Sequence, residues 1–140
     1  MRADEVFEAR TSDDLERMKK ARSQKTNPID RHFLLMGIVE KAYKKRSDPD
    51  MVKLCSETAE QHIREFPDIA PALRQDMDGI LPNVTTFQTY AKLLQERGEY
   101  SRAIEVCEEA MRYGLHDGTK SGFEGRIERI KKAREKAADA

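Results

Sequence analysis

The chain has 140 residues, of which 37% are charged and 38% are hydrophobic, and its formal net charge at pH 7 is +0. This length suits a single domain of ordinary size, and the zero net charge excludes a global field that would draw the protein onto nucleic acid or an anionic membrane. The low content of aromatic residues, Gly and Pro favours helices over a β-sandwich or barrel.

The N-terminal segment "MRADEVFEARTSDDLERMKK" is charged throughout and lacks the apolar region of a secretory signal. No stretch approaches the roughly 18–20 apolar residues that a membrane span needs. Cys55 and Cys107 lie within helical patterns, so without a signal peptide we expect buried thiols rather than a disulfide. These features predict a cytoplasmic protein that does not enter a membrane.

Residues 1–26 are predicted to form an N-terminal arm, either loosely ordered or a docked helix. Thr11 and Asp14 match a capping box ahead of a weakly apolar helical pattern. Residues 27–140 are predicted to form one helical domain. Its first helix has Asn27 as the cap and Pro28 at the first helical position.

The next stretch of the chain is punctuated by proline. The segment "RSDPD" ends the preceding helix and supplies Ser47 or Asp48 as the cap of the next one. We expect Pro67 to close that helix and a shorter element to follow, with Pro71 in its first turn. Asn83, in the sequence "NVT", is interpreted as a helix-start cap rather than a glycosylation acceptor.

The stretch "TTFQTYAKLLQERGEYSRAIEVCEEAMRYGLHDG", residues 85–118, predicts two helices folded back on a turn at Gly98. The last segment has a narrow apolar stripe of Phe123, Ile127 and Ile130, and its other faces are rich in Lys and Arg. This pattern is typical of a helix that ends a helical stack. Since no segment alternates like a β-strand, we expect an all-α fold of about five to six helices.

The quoted hairpin resembles a tetratricopeptide repeat (TPR). The residues at that family's spacing are Phe87, Tyr90, Ala91 and Leu94 on the first helix and Ala103, Cys107 and Ala110 on the second, with Leu115 at the family's proline position. A degenerate repeat starts at Met36, 51 residues before Phe87 rather than about 34. The resemblance implies TPR-like antiparallel hairpins, stacked into a short right-handed solenoid with a C-terminal capping helix.

In the TPR family, ligands commonly lie in a groove that is lined by the first helix of each hairpin. The resemblance therefore implies a non-catalytic protein–protein interaction or scaffolding module. Carried onto this chain, the partner-binding residues are Lys41, Lys44, Lys45, Thr85, Gln88, Lys92 and Gln95. Such a mildly basic groove is expected to bind an acidic or C-terminal peptide, and the alternative is that the lysines form an ordinary solvated face.

Two alternative functions stay open. The hairpin, notably "EEAMRYGL", also resembles a pentatricopeptide repeat, a family that reads single-stranded RNA. That family needs arrays of repeats to hold a strand, so one repeat in a neutral chain disfavours nucleic-acid binding. Two repeats also leave unpaired stack ends, which makes a homo-oligomer or a self-associating structural subunit of a larger assembly the other alternative.

The sequence offers little catalytic chemistry. His32, His62 and His116 show no short ligand spacing to Cys or to one another. Cys55 and His62 could share a helix face, as a core-facing Cys and a half-buried His also would. The segment "GLHDGTKSGFEG" lacks the residue order of a phosphate loop. We therefore expect no enzymatic activity, no cofactor and no metal.

Overall fold

The computed structural model describes residues 3–79, 81 and 84–139. Within these residues all regular structure is helical, which confirms the all-α class. The described residues form seven helices rather than five to six: α1 (Ala3–Thr11), α2 (Leu15–Ala21), α3 (Pro28–Lys44), α4 (Pro49–Asp76), α5 (Thr86–Glu96), α6 (Tyr100–Arg112) and α7 (Gly122–Ala138). The chain divides into two compact units, unit 1 (Met1–Thr86) and unit 2 (Phe87–Ala140). Asn83, the predicted cap, lies outside the described residues.

The N-terminal capping box was predicted one turn too early. Thr11 ends α1, and its hydroxyl donates to the carbonyl of Phe7 at 2.9 Å. The chain turns at Asp13, whose φ is 62°, and the carboxylate of Asp14 then caps α2 by accepting from the N–H of Arg17 at 3.3 Å. Thr11 cannot be an N-cap because the chain before it is already helical.

The described part of residues 1–26 forms helices that pack on α3. Val6 and Met18 bury their side chains from α1 and α2 respectively. Arg10 forms an ion pair with Asp30 of α3 at 3.0 Å. At Gly37 an added Cβ would come within 2.7 Å of the Met18 side chain, so glycine there lets α2 approach α3 closely.

Helices α3 and α4 form the core hairpin of unit 1. Their caps are among those predicted: Asn27 accepts from the N–H of Asp30, and Asp48 accepts from the N–H of Asp50, both at 2.9 Å. Near the start of α3, His32 contacts His62 of α4, while further along α3 the carbonyl of Val39 lies 3.6 Å from the Cys55 thiol. Because later positions on α3 meet earlier positions on α4, the two helices run antiparallel.

The prediction that Pro67 closes a helix was wrong. α4 runs without a break from Pro49 to Asp76 and contains both Pro67 and Pro71. Each internal proline removes one helical hydrogen bond. Both prolines are exposed, where water can satisfy the carbonyl that is left unbonded, and the apolar stripe of Phe66, Ile69, Ala70 and Leu73 continues buried past them. Burial of that stripe outweighs the local preference for a break.

In unit 2, α5 and α6 form a short hairpin. Gly98 has a φ of 76° and turns the chain, as predicted. The rings of Phe87, at the start of α5, and Tyr113, just after α6, lie 6.2 Å apart, so the two helices are antiparallel. On α6, Val106 is buried, whereas Met111 is 38% exposed. Helix α7 packs on α6.

Candidate functional site

A chain of three hydrogen-bonded polar side chains crosses the core of unit 1. Nδ1 of His32 lies 2.9 Å from Nε2 of His62, and Nδ1 of His62 lies 2.8 Å from Oγ1 of Thr86. All three residues are at most 1% exposed. The ring of His62 meets Phe66 edge-on, with centroids 5.7 Å apart. Polar groups in such a position are retained only when hydrogen bonds satisfy them.

Burial keeps both imidazoles neutral at neutral pH. Desolvation lowers the pKa of His32 to about 4. Desolvation also lowers the pKa of His62 well below 6.5, and a proton on His32 and the positive charge of Arg31 act in the same direction. A neutral imidazole carries a single N–H, so the two hydrogen bonds run in one of two directions.

Among the described residues, Nε2 of His32 is a buried nitrogen without a hydrogen-bond partner. If His32 donates from Nδ1 to His62, and His62 donates from Nδ1 to Thr86, Nε2 of His32 is an unpaired acceptor and the hydroxyl hydrogen of Thr86 has no recorded acceptor. In the reverse direction the hydroxyl of Thr86 donates, and Nε2 of His32 carries an N–H without an acceptor. In both directions the two rings carry their proton on the same nitrogen, Nδ1 in the first and Nε2 in the second.

Sequence reasoning missed the contact between the two histidines. It considered His62 together with Cys55, but the thiol of Cys55 contacts the carbonyl of Val39 while His62 bonds to His32 and Thr86. A signal was present: His32 and His62 are each 15 positions from Ser47, which lies in the predicted turn. Positions equidistant from the turn of an antiparallel hairpin lie at the same level.

A cleft of about 380 Å³ opens on unit 1 where the loop before α3 faces α4. Arg31 fixes its wall, because one guanidinium nitrogen donates to the carbonyls of both Arg22 and Gln24. The other two nitrogens donate to the two carboxylate oxygens of Glu65, at 2.7 and 3.0 Å. Burial alone would raise the pKa of Glu65, but the hydrogen bonds and charge of Arg31 outweigh it and the pKa is lowered.

A second, shallower cleft of about 450 Å³ lies on the same helix. We use the name α4 cleft for these two clefts taken together; they share no lining residue, and their charged lining residues are Arg22, Lys25, Arg31, Glu57, Glu60, Arg64, Glu65 and Asp68. This lining is balanced between acidic and basic side chains. The α4 residues that line the two clefts run from Ser56 to Ile69, and from Glu57 to Ile69 they span roughly 18 Å at about 1.5 Å per helical residue.

The predicted lysines on α3 face an acidic side chain of their own unit. Lys41 forms an ion pair with Asp13 in the turn between α1 and α2. The hydrogen bond and charge of Lys41, with smaller contributions from Lys44 and Lys45, lower the pKa of Asp13. Lys44 and Lys45 are exposed at the end of α3, so they are the two lysines here most available to a partner.

The four predicted residues at and before α5 differ in their exposure. Thr85 donates its hydroxyl to the carboxylate of Glu40 in unit 1. Gln88 is 8% exposed, and its buried Oε1 has no hydrogen-bond partner. Lys92 is exposed and Gln95 is half-buried. The assignment of these residues to a partner-binding groove stays a prediction.

The loop after α6 is organised around Asp117 rather than around an anion site. Its buried carboxylate accepts from Arg126 at 2.8 Å, and from the N–H and hydroxyl of Thr119 at 2.9 and 2.6 Å. Burial alone would raise the pKa of Asp117, but these hydrogen bonds and the charge of Arg126 outweigh it and lower the pKa. In the same unit, burial raises the pKa of Cys107 to about 11, so it is a neutral thiol at pH 7.

Residues 3–79, 81 and 84–139 contain neither a metal-binding cluster nor a membrane-spanning helix. No three His, Cys, Asp or Glu side chains in that part of the chain are grouped so that they could hold a metal ion. None of the helices described there is both long enough and apolar enough to span a membrane.

Comparison with known proteins gives no functional assignment. No protein-family profile matches the chain, and no solved structure matches it. One relative is a protein of Aquifex aeolicus (strain VF5) that is described only as an uncharacterized protein. It is 29% identical over 98 residues, which cover 67% of this chain and 46% of the relative. The chain thus spans about half the length of the relative it matches.

Proposed function

We propose that this chain is a non-catalytic protein-interaction module that binds an extended polypeptide partner along the α4 cleft. The observation that carries the proposal is the mixed charge of the cleft lining, with acidic and basic side chains along one side of α4. A polypeptide offers both charges together with backbone donors and acceptors, so it is the class of partner that such a lining complements.

The placement of the reactive side chains supports a binding role. The thiols of Cys55 and Cys107 and the imidazoles of His32 and His62 are all at most 1% exposed. A molecule in the α4 cleft would meet carboxylate, guanidinium, hydroxyl and amide groups, and Arg31 and Glu65 are already held by each other. These groups suit recognition better than proton transfer or nucleophilic attack.

The cleft lining also favours polypeptide over nucleic acid. Glu57, Glu60, Glu65 and Asp68 place four carboxylates along α4, and these repel a phosphate backbone. An extended peptide advances about 3.3–3.6 Å per residue, so a cleft of roughly 18 Å holds about five residues. Because Arg31 holds the loop carbonyls in place, the wall needs little ordering when a peptide binds.

The proposal retains a TPR-like organisation, with α5 and α6 as one repeat in a short right-handed solenoid capped by α7. The burial of Ala91 on α5 and of Ala103 and Ala110 on α6 supports this organisation. Small side chains at such positions allow antiparallel helices to approach closely. Self-association or a scaffolding role in a larger assembly is compatible with this organisation, and it is one outcome of the test below.

The test compares charge-reversed variants in affinity capture from extract of the host cell, with mass spectrometry and parallel nuclease treatment. The cleft variant is Arg64→Glu with Asp68→Lys, which changes exposed side chains and preserves net charge. The matched control is Lys132→Glu with Glu135→Lys on α7, which also changes exposed side chains and preserves net charge. Each captured partner is then prepared pure and titrated against the native chain and both variants.

A partner that binds the native chain and the control, resists nuclease and loses at least tenfold in affinity for the cleft variant supports the proposal. Undiminished binding to the cleft variant overturns it. A third variant, Lys44→Glu with Lys92→Glu, tests the basic groove predicted from the sequence, and loss of binding in this variant alone moves the site there. Capture that disappears with nuclease points to RNA, and recovery of a second copy alone, with a dimeric mass in light scattering, points to self-association.

A further inference from the structure

We propose that the hydrogen-bonded chain of His32, His62 and Thr86 is an acid-sensitive latch, which holds the segment 84–86 on α3 and α4 and releases it when protons enter the histidine pair. The latch concerns only unit 1 and does not depend on the partner proposed above.

The latch joins the last residues of unit 1 to its core hairpin. Thr86, the first residue of α5, is tied to α4 through His62. Thr85 is tied to α3 twice, by its hydroxyl to Glu40 and by its N–H to the sulfur of Met36 at 3.5 Å. Val84 is 2% exposed. The segment is thus held by a few specific contacts, one of which runs through an imidazole that can take up a proton.

A first proton buries a charge and also leaves an N–H without an acceptor. If His62 is protonated, both of its nitrogens become donors, and Nδ1 of His32 must then accept. This places the remaining proton of His32 on Nε2, the buried nitrogen that has no partner. A second proton would place two cations 2.9 Å apart in the core. Neither form fits the folded arrangement.

The surrounding charged groups offer no compensation. Within the described residues, the recorded hydrogen bonds of His32 and His62 go only to each other and to Thr86. From α3, Arg31 adds positive charge, and its partner Glu65 on α4 is already engaged in a two-point ion pair. Glu40, also on α3, accepts from Thr85, and from the end of α2 Arg22 donates to Thr58.

The pH range follows from the lowered pKa values. The folded state holds both imidazoles neutral, whereas a released or unfolded chain binds protons with a pKa near 6.5. The latched state is therefore fully favoured above pH 6.5 and is progressively lost as pH falls from 6.5 towards about 4. Between pH 7 and pH 5 each imidazole should lower the ratio of latched to released chain by about 25-fold.

Hydrogen exchange read by mass spectrometry tests the latch directly. Protection of a peptide that contains residues 84–86 is measured at pH 7 and pH 5 and corrected for the intrinsic pH dependence of exchange. We expect protection to fall at least 25-fold, and that of a peptide from α6 to change much less. Equal corrected protection of the 84–86 peptide at the two pH values would overturn the proposal.

Substitutions distinguish the pH response of the latch histidines from that of His116, the third histidine of the chain. His116→Gln, at an exposed position in unit 2, should retain the native pH response. His62→Gln keeps an amide that can bridge His32 and Thr86 but cannot be protonated in this range, so the response should shrink towards that of one imidazole. An undiminished response in folded His62→Gln would contradict the latch.

A readout on the native chain keeps the test independent of whether a variant folds. Imidazole signals in nuclear magnetic resonance spectra should show His32 and His62 at pH 7 as neutral rings that carry their proton on the same nitrogen, Nδ1 or Nε2 in both. They should also show no titration of the folded form between pH 7 and pH 5. Titration of either ring near pH 6.5 in the folded protein would refute the latch.

Discussion

The two units bury polar side chains in opposite electrical states. Unit 1 holds two neutral imidazoles, His32 and His62, in a chain that ends on a hydroxyl. Unit 2 holds an ion pair, in which Asp117 accepts from Arg126 at 2.8 Å. Both pairs are hydrogen-bonded at neutral pH. A buried imidazole pair is stable only without extra protons, whereas a buried carboxylate–guanidinium pair is stable only while the carboxylate is charged.

This difference separates the units by their response to acid. The lowered pKa values of the histidines mean that unit 1 loses stability as pH falls below 6.5. The pKa of Asp117 is lowered from 3.8, so its contribution is present above pH 3.8 and is lost only as pH falls through its lower folded value. Burial by itself therefore does not set the acid sensitivity of a unit. The sensitivity depends on whether the buried group is held neutral, as the histidines are, or charged, as Asp117 is.

The largest effect is expected where the ion pair of unit 2 is broken on one side. Asp117→Ala leaves the guanidinium of Arg126 buried without its partner, and this should lower the free energy of unfolding by about 3–5 kcal/mol. Urea unfolding followed by circular dichroism at pH 7 measures the loss. Asp117→Ala with Arg126→Met removes both charges and should recover most of it, and a loss below about 1 kcal/mol in the single variant would show that the pair is not important.

Breaking the neutral chain of unit 1 should cost somewhat less. His62→Leu leaves His32 and Thr86 without their shared partner, and each unpaired buried group costs about 1–3 kcal/mol, so we expect a loss of about 3 kcal/mol at pH 7. The same urea titration measures it.

Removing all three polar groups together is the control for that variant. His32→Phe, His62→Leu and Thr86→Val in one chain should be closer to native stability than His62→Leu alone, because no polar group is then left unpaired. The triple variant should also lose the decline in stability between pH 7 and pH 5. A triple variant that is less stable than the single one would assign the role of these residues to shape rather than to hydrogen bonding.

Removing a proline from inside α4 should increase stability. Helices α5, α6 and α7 contain no internal proline, so unit 2 offers no equivalent change. Pro67→Ala restores the N–H that can donate to the carbonyl of Ile63. We expect the free energy of unfolding to rise by about 2 kcal/mol. Proline costs about 3 kcal/mol in a helix interior but stabilises the fold by about 0.4–1 kcal/mol by restricting the unfolded chain. Pro49→Ala, at the first turn of the same helix, is the control and should bring no gain. An unchanged urea midpoint for Pro67→Ala would mean that the helix already adapts to its proline.

The smallest effect concerns the turn of unit 2. Gly98 has a φ of 76° and its nearest neighbour to an added Cβ is the Tyr100 ring at 4.0 Å, so Gly98→Ala meets backbone strain but no collision. We expect a loss of about 1 kcal/mol in thermal or urea unfolding. Gly98→Asn should lose less, because Asn tolerates this backbone region better than Ala. Equal losses for the two variants would indicate a cause other than backbone conformation.

Local signals predicted much of the fold and little of the site. The caps at Asn27 and Asp48 and the turn at Gly98 were predicted because each depends on a residue and its immediate neighbours. Thr11 was misassigned because α1 has only a weak apolar pattern, so the helix before it was not recognised. The lysine and glutamine groove of α3 and α5 stays a prediction, and within it Lys41 is already paired to Asp13.

The sequence by itself determined the helical class, the hairpin turns and the burial of most of the apolar residues on each helix. These features follow from the 3.6-residue period and from local capping. Only the tertiary structure decided that α4 continues through Pro67, that His32 meets His62, and that Arg31 holds the wall of the α4 cleft. The physical reason is that these features depend on contacts between residues distant in the chain. The energy of such contacts can exceed any local preference.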